Sequence, residues 1–282
     1  MSRNFLPNVE IVGATMVYRE REQCHYCLDQ LYEYCDRVVI LLDNYDKETE
    51  QIILNYKNKY PDITHIVYST IPVNRSRNEI SGQQKKRFKL QQAGIREQMI
   101  KELKKLHEQK SIDLLLWWDS DEIVINEFPK YLIEFWENNT HTWMMLGFIN
   151  PFENFRMIMS SPMAPHGRVF RYNSEMTNYP WVGRTRYWPY LNTRPWKLRH
   201  VVLHLCHLTK EYRERRSFFD NGKGEDLWDR NLWVLPKDVR EMTAQEIADY
   251  QHGSHQRPSK YQPITVKEYL NNKDYYIKKY NL

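Results

Sequence analysis

The sequence lacks a long uninterrupted apolar run, and no apolar segment stands near its first residues. A helix that crosses a bilayer needs roughly 20 apolar residues, and a secretory leader needs an apolar core. We therefore expect neither feature. We expect a cytoplasmic protein without a membrane span.

Cysteine is scarce, with four residues in a chain of 282. This number is too small for the disulfide framework of a secreted protein of this length. Cys24 and Cys27 form a Cys-x-x-Cys pair around His25, but Cys35 and Cys206 lie far away and supply no second ligand pair. We expect reduced thiols rather than a zinc or redox site.

Glycine is also sparse, and none of the nine glycines forms a glycine-rich loop after the first predicted strand. The phosphate-binding loop of nucleotide hydrolases and the dinucleotide fingerprint are thereby excluded. What is present suits a globular protein with a large core, since 41% of the residues are hydrophobic and 27% are charged.

Apolar runs and helical spacings alternate over the first seventy residues, which is typical of parallel βαβ units in a doubly wound sheet. After a basic stretch at 75–89, predicted to be a loop, a helix and a further apolar strand follow. The alternation fades beyond residue 150. The predicted strands are 9–17, 38–42, 64–68, 114–118, 142–148 and 201–208, and the predicted helices include one around Leu28–Cys35 and others at 48–60, 91–108 and 129–137.

Two carboxylates, Asp119 and Asp121, follow directly after the apolar strand that ends at Trp118. Residues two apart in extended backbone point to the same side, so these side chains can converge. Neighbouring carboxylates are costly unless a cation joins them, and Mg²⁺ and Mn²⁺ prefer such oxygen ligands. The alternative is a solvated turn, but ligands of open α/β sheets bind beyond the strand ends. We favour a metal site.

The chain has a strand, a helix, a second strand that ends at Asp43 and a later apolar strand that ends at Asp119 and Asp121. This order of elements resembles that of the GT-A glycosyltransferases, and family 2 in particular. The resemblance covers residues 9–150 well and the remainder loosely. It implies an α/β fold, with a doubly wound, mostly parallel sheet flanked by helices and an irregular C-terminal acceptor region. Within one continuous domain, residues 1–150 would then bind the nucleotide sugar, and residues 151–282 would bind the acceptor.

The resemblance also implies roles for individual residues. In this family the first strand and the turn after it hold the nucleotide, an acid after the second strand contacts the base, and an arginine supports the diphosphate. Asp119 and Asp121 would hold Mn²⁺ or Mg²⁺ against the diphosphate of a nucleotide sugar, with a UDP-sugar as the expected donor. The implied donor-binding residues are Ala14, Met16, Tyr18, Arg21, Asp43, Arg96 and Asp119.

The second half departs from the family pattern, because relatives continue into a His-Glu pair where this chain has Arg184 and Arg186. Relatives often supply a C-terminal histidine to the metal. His204 and His207 would face opposite sides of a strand, so at most one points at the site, and we expect His207. A hydrogen-bonded core histidine is the alternative. The candidate catalytic bases are Glu175, Glu225 and Asp226.

Residues 168–216 hold eleven Lys and Arg against three Glu, interleaved with Tyr and Trp. Cations among aromatics suit an anionic partner with rings or bases that stack, although a solvated basic face would show the same composition. A hydroxymethylated base in DNA is one candidate acceptor, and it would have to leave the duplex to be glycosylated. A polysaccharide or a lipid-linked glycan is the other.

The sequence thus predicts a metal-dependent glycosyltransferase that moves a sugar from a nucleotide sugar to a hydroxyl acceptor. Two other classes stay open at this point. Nucleotidyltransferases share such sheets and metal carboxylates but usually carry a glycine-rich loop after the first strand. A non-catalytic nucleic-acid-binding protein could keep the sheet without turnover.

Overall fold

The chain forms two compact units, each assembled from separate stretches of sequence. The first unit holds residues 1–120, 138–144 and 167–196, and the second holds residues 121–137, 145–166 and 197–282. The chain therefore passes between the units several times, whereas the sequence predicts one change of character near residue 150. A computed structural model describes residues 5–18, 21–43, 45–70, 82–159, 165–181, 184–188, 193–209, 230–252 and 263–282.

The first unit begins with strands and helices that alternate, as predicted. Its strands are β1 (Ile11–Val17), β2 (Arg37–Leu42), β3 (Thr64–Tyr68), β4 (Leu114–Asp119) and β8 (His166–Arg171), the last belonging here from Gly167 onward. Its helices are α1 (Gln23–Tyr34), α2 (Lys47–Lys59) and α3 (Gly82–Gln109). A separate two-stranded antiparallel ribbon pairs β9 (Thr177–Trp181) with β10 (Arg184–Trp188).

The strands of this unit lie in the order β8-β4-β1-β2-β3. The pairings β4–β1, β1–β2 and β2–β3 are parallel, and β8 joins β4 in the antiparallel sense. The predicted mixed α/β fold with a mostly parallel sheet is thereby confirmed. β1, β2 and β4 are buried almost throughout, as expected for central strands with apolar residues on both faces.

The core of the first unit forms where α3 packs on the sheet. Its buried members include Ile95, Met99 and Leu103 from the helix and Leu115 and Trp117 from β4. On the β1 side, Gly13 allows α1 and the residue after it to pack closely on the strand. A Cβ atom at Gly13 would lie 2.9 Å from the sulfur of Cys35 and 2.9 Å from the side chain of Leu31. The buried helix face and the buried strands fix the carboxyl ends of β1, β2 and β4 in place.

The predicted loop at 75–89 is partly wrong, because α3 begins at Gly82. The basic residues Lys85, Lys86 and Arg87 lie within this helix. Lysine, arginine and glutamine are good helix formers, so a polar helical turn can precede the amphipathic part without an apolar stripe. Residues 75–81 lie outside the described part of the chain.

The second unit consists mainly of antiparallel strands and short helices. Its strands are β5 (Glu122–Val124), β6 (Trp143–Phe152, from Met145 onward), β7 (Asn154–Met159), β11 (Trp196–His204, from Lys197 onward), β12 (Asn231–Val234) and β13 (Ile264–Thr265). Its α-helices are α4 (Phe128–Glu137), α5 (Ala244–His252), α6 (Val266–Asn271) and α7 (Lys273–Tyr280), and its 3-10 turns are Leu205–His207 and Val239–Glu241.

Antiparallel pairing connects β6 with β7, β7 with β12, and β12 with β13, while β5 pairs with β11. A core of buried residues, whose described members include Met157, Leu232 and Tyr269, lies between these strands and the C-terminal helices. In the parts of the chain that the structure describes, no helix is long and apolar enough to cross a membrane.

The predicted strand at 201–208 is wrong in its last part. β11 ends at His204, and Leu205–His207 form one turn of 3-10 helix, closed by a hydrogen bond from the Leu208 amide to the Leu205 carbonyl at 3.0 Å. The amide of Leu205 donates to the carbonyl of Asp121 at 2.7 Å, which continues the register of β11 with β5 by one residue before the turn. The rule of alternating faces therefore does not relate His204 to His207.

Candidate active site

The carboxyl ends of the neighbouring parallel strands β4, β1 and β2 lie side by side along one edge of the sheet, the edge formed by the strand ends. Met16 is in register with Asp119, and the amide of Asp43 donates to the carbonyl of Val17 at 2.9 Å. Asp119 therefore lies on one side of the end of β1, and Asp43 lies on the other. Two carboxylates approach this edge because each stands at the end of an apolar strand.

The strand order reverses at this edge. From β1 the chain proceeds to β2 and β3 on one side, and then returns to place β4 on the other side of β1. Open α/β sheets bind their ligands in the crevice that such a reversal leaves beyond the strand ends. The crevice between the ends of β1 and β4 is therefore the expected ligand site, and Asp119 stands at it.

Asp119 is the point where the buried strand β4 reaches the surface. Its side chain retains 36% of its exposed area, whereas Trp118 just before it is buried. The guanidinium Nη2 of Arg168 lies 2.9 Å from its Oδ2, and the thiol of Cys27 donates to its carbonyl oxygen at 3.5 Å. An accessible carboxylate is thus held against a nearly buried cation.

Arg168 is a site residue that sequence reasoning missed. It lies on β8, whose antiparallel pairing with β4 sets its first residues beside the carboxyl end of β4. Arg168 opens the Arg168–Arg171 segment, which resembles one seen in GT-A relatives, and is one of the basic residues between 168 and 216, but no individual role was predicted for it. No local sequence pattern predicts which later strand will pair with β4. The contact between Arg168 and Asp119 is therefore visible only in the folded chain.

The candidates from the first strand differ in their access to the site. Ala14 is fully buried in the core, and Met16 packs at the margin of the same core. Tyr18 is half-buried and follows the last residue of β1. Among the three, Tyr18 is therefore the side chain placed beyond the strand end.

The remaining donor-binding candidates have varied surroundings. Asp43 is buried, and Arg96 is half-buried on α3. Arg21 is exposed and pairs with Asp46 at 2.8 Å and with Glu48 at 2.5 Å. These ion pairs hold Arg21 at the beginning of α2, which starts just past the end of β2.

Glu175 is not brought to Asp119. Arg171 near the end of β8 is in register with Leu114, the first residue of β4, and the Tyr172 amide donates to the carbonyl of Asp113. Glu175 follows in an exposed turn near the amino end of β4, whereas Asp119 lies at the carboxyl end of that strand. The other two predicted bases, Glu225 and Asp226, lie outside the described residues.

Asp121 belongs to the second unit, where it contacts His204 rather than standing in a solvated turn. The carboxylate Oδ2 lies 3.1 Å from Nε2 of His204, and Nδ1 of that ring lies 3.2 Å from Oδ1 of Asn150. All three side chains are buried. His204, which sequence reasoning ranked below His207, is therefore placed at the carboxylate.

The charges of this buried cluster shift the pKa values of its members. Burial opposes the charged imidazolium, but the negative charges of Cys206 and Asp121 outweigh it and raise the pKa of His204 well above its ordinary value. Burial likewise opposes the thiolate, yet the charge of His204 and a hydrogen bond from it lower the pKa of Cys206. His207 contributes to the lower pKa of Cys206, so it too lies at this cluster.

A divalent cation can be tested against the donors that are present. Within the described ranges, no group of three or more His, Cys, Asp and Glu side chains is arranged to hold a metal ion. Mg²⁺ and Mn²⁺ often bind through one or two carboxylates, with the other positions filled by water and phosphate oxygens. The accessible carboxylate of Asp119 fits such an ion, provided that a phosphorylated ligand completes the shell.

Sequence comparisons identify no relatives of this chain: no protein-family model matches it, and no curated protein does either. Among solved structures, S. aureus TarS 1-349 matches with 15% identity over 52% of this chain and 40% of its own, at a TM-score of 0.33. TarS 1-349 in complex with UDP-GlcNAc gives 17% identity over 52% and 38%, with a TM-score of 0.32.

Glucosyl-3-phosphoglycerate synthase from Mycobacterium tuberculosis, in complex with Mn²⁺, uridine diphosphate and phosphoglyceric acid, matches with 11% identity over 51% of this chain and 45% of its own, at a TM-score of 0.32. The CMP:2-keto-3-deoxy-manno-octonic acid synthetase complexed with CTP gives 9% identity over 57% and 74%, with a TM-score of 0.29. This chain spans less than half the length of the TarS and synthase chains from S. aureus and M. tuberculosis. At such scores the matches establish no shared fold.

Proposed function

We propose that this chain is a divalent-metal-dependent glycosyltransferase of GT-A type, which moves a sugar from a UDP-sugar to a hydroxyl acceptor. The observation that carries the proposal is the accessible carboxylate of Asp119 at the reversal of strand order between β1 and β4. Arg168 beside Asp119 supplies a positive charge that suits a diphosphate, and Asp43 across the end of β1 supplies a hydrogen-bond acceptor for the base.

Asp119 would hold Mn²⁺ or Mg²⁺ through its carboxylate oxygens. When bound, such an ion neutralises the charge that develops on the departing diphosphate and acts as a Lewis acid. Asp121 and His207 remain sequence predictions as further ligands. Their variants test that assignment separately from Asp119.

The chain's own groups account for recognition of the nucleotide. A carboxylate accepts hydrogen bonds, so Asp43 would receive an N–H of the base, while Tyr18 offers a half-buried ring just past the end of β1. Arg168 supplies the forked donors that suit phosphate oxygens, and Arg96 on α3 is the second proposed diphosphate contact. A UDP-sugar is the proposed donor on the strength of the family resemblance.

The acceptor is proposed to be anionic, from the excess of Lys and Arg among aromatics in residues 168–216. A hydroxymethylated base in DNA is the first candidate, and a polysaccharide or lipid-linked glycan is the second. Gel-shift titration of duplex DNA at several salt concentrations separates the two, because binding through phosphate contacts weakens steeply with salt. A complete absence of binding at low salt removes DNA from the proposal.

The proposal is tested by hydrolysis of UDP-sugars in the presence of Mn²⁺. Asp119→Asn keeps the shape of the side chain but removes its charge, and we expect a loss of at least 10²-fold in turnover, in line with the removal of one electrostatic contact from a reacting centre. Asp113→Asn is the matched control at the other end of β4, where Asp113 Oδ2 accepts from the Glu10 amide at 2.7 Å. Equal turnover in the two variants contradicts the proposal.

A further inference from the structure

Arg168 holds the carboxylate to which the proposed metal would bind. Its Nη2 lies 2.9 Å from Oδ2 of Asp119, and its Nη1 donates to the carbonyl of Gly167 at 3.3 Å. Only 10% of the Arg168 side chain is exposed, against 36% of the Asp119 side chain. The guanidinium is therefore a counterion of Asp119, and solvent reaches the carboxylate more readily than it reaches the arginine.

A divalent cation at Asp119 would have to compete with this guanidinium. The two cations would stand a few ångströms apart at a partly desolvated site, where like charges repel more strongly than they do in water. Binding of the carboxylate to the metal would also weaken an ion pair of a guanidinium that solvent hardly reaches, which is unfavourable. Both effects oppose binding of the metal by itself.

A diphosphate removes both obstacles. Its oxygens complete the shell of a hard cation and also accept paired hydrogen bonds from a guanidinium, an arrangement that matches the fork of arginine. We infer, resting on the function proposed above, that Arg168 makes cation binding at Asp119 depend on the nucleotide diphosphate. The metal and the nucleotide then bind together, and each raises the affinity for the other by the same factor, as linkage requires.

The test is a titration of the full chain with Mn²⁺, followed by the electron paramagnetic resonance signal of the free ion, without nucleotide and with UDP. The Mn²⁺ held by free UDP is measured separately and subtracted. We expect UDP to raise the Mn²⁺ affinity of the wild-type protein by roughly 5- to 150-fold, the usual range of coupling between two ligands. Arg168→Gln should tighten binding of Mn²⁺ alone by about tenfold and reduce the effect of UDP by a similar factor.

Two variants serve as controls. Arg168→Lys keeps the positive charge and should retain weak binding of Mn²⁺ alone. Arg171→Gln makes the same substitution as Arg168→Gln three residues later on β8, where the guanidinium donates to the carbonyls of His141 and Asn138. This side chain lies at the other end of β4, so its loss should leave the Mn²⁺ affinity unchanged.

The outcomes separate this inference from the function on which it rests. An unchanged or weaker affinity of Arg168→Gln for Mn²⁺ alone overturns the inference, while Mn²⁺-dependent binding of UDP leaves the proposed function standing. If Arg168→Gln does not fold, the wild-type titration decides, and equal Mn²⁺ affinity with and without UDP overturns the inference. Absence of Mn²⁺ binding in the presence of UDP overturns both.

Discussion

At the scale of single residues, the molecule places its titratable groups in contrasting surroundings. Asp119 is accessible at the end of its strand, whereas Asp121 is buried against His204. The sequence presents them as an equivalent pair two positions apart. Their difference arises because the chain enters the second unit at Asp121, and the distant strand β11 brings a histidine to it.

The shifted pKa of His204 gives a prediction at this scale. Cys206→Ser removes a thiolate whose charge raises the pKa of His204, so the imidazole should titrate at a lower pH in the variant. A nuclear magnetic resonance titration of the histidine ring protons measures this shift. Cys24→Ser, at a buried thiol of the first unit, is the control and should leave the pKa of His204 unaltered. The same pKa in Cys206→Ser as in the wild type contradicts the described cluster.

The site residues show which contacts a sequence can and cannot predict. Asp119 was predictable because an apolar run of strand length ends abruptly in a carboxylate. The contacts of Arg168 with Asp119 and of His204 with Asp121 were not, because each side chain reaches its aspartate from a strand whose pairing partner is distant in sequence. Such pairing depends on the packing of the whole sheet, and the residues next to Arg168 and His204 in the sequence do not indicate it.

At the scale of elements, the junction between β2 and α2 depends on Asp46. Its Oδ1 accepts from the Thr49 amide at 2.9 Å and caps α2, and its Oδ2 pairs with Arg21. Burial alone would raise the pKa of Asp46, but the hydrogen bonds from Arg21 and Thr49 outweigh it and lower the pKa well below the ordinary value. A lowered pKa contributes stability that is complete above the unfolded-state pKa near 4 and is lost as the pH falls below it.

We therefore predict a graded series of stabilities. Asp46→Ala removes both the cap and the exposed ion pair, and should lower the free energy of unfolding by about 1–2 kcal/mol at neutral pH. Asp46→Asn keeps a good cap and should lose only about 0.2–1 kcal/mol. Urea unfolding measures both values. The difference between wild type and Asp46→Asn should shrink as the pH falls below about 4, and a difference that grows on acidification contradicts the predicted sign.

The elements predicted from sequence divide by the kind of pattern that forms them. β3 was predicted with its observed bounds, and β1, β2, β4 and α2 within one or two residues, since buried parallel strands are short apolar runs. The start of α3 was missed because its first turns carry no apolar stripe. β7, β12 and β13 were missed because short antiparallel strands leave a weak local signal and depend on partners far along the chain.

At the scale of the whole molecule, the chain forms two units, each assembled from three separate stretches of the sequence. The first unit takes in residues 167–196, and the second takes in residues 121–137. A sequence reading divides a chain at one point where its pattern changes, here near residue 150. It does not show that a later strand completes an earlier sheet, as β8 does for β4.

The central claim is that the end of β4 binds a nucleotide diphosphate together with a divalent cation through Asp119. Thermal unfolding with UDP and Mn²⁺ tests it most directly, because a ligand that binds the folded state raises the midpoint by mass action. We predict a higher midpoint for the wild-type protein with UDP and Mn²⁺ together, and loss of that increase in Asp119→Asn but not in Asp113→Asn. An increase of the same size in Asp119→Asn, or none in the wild type, contradicts the claim.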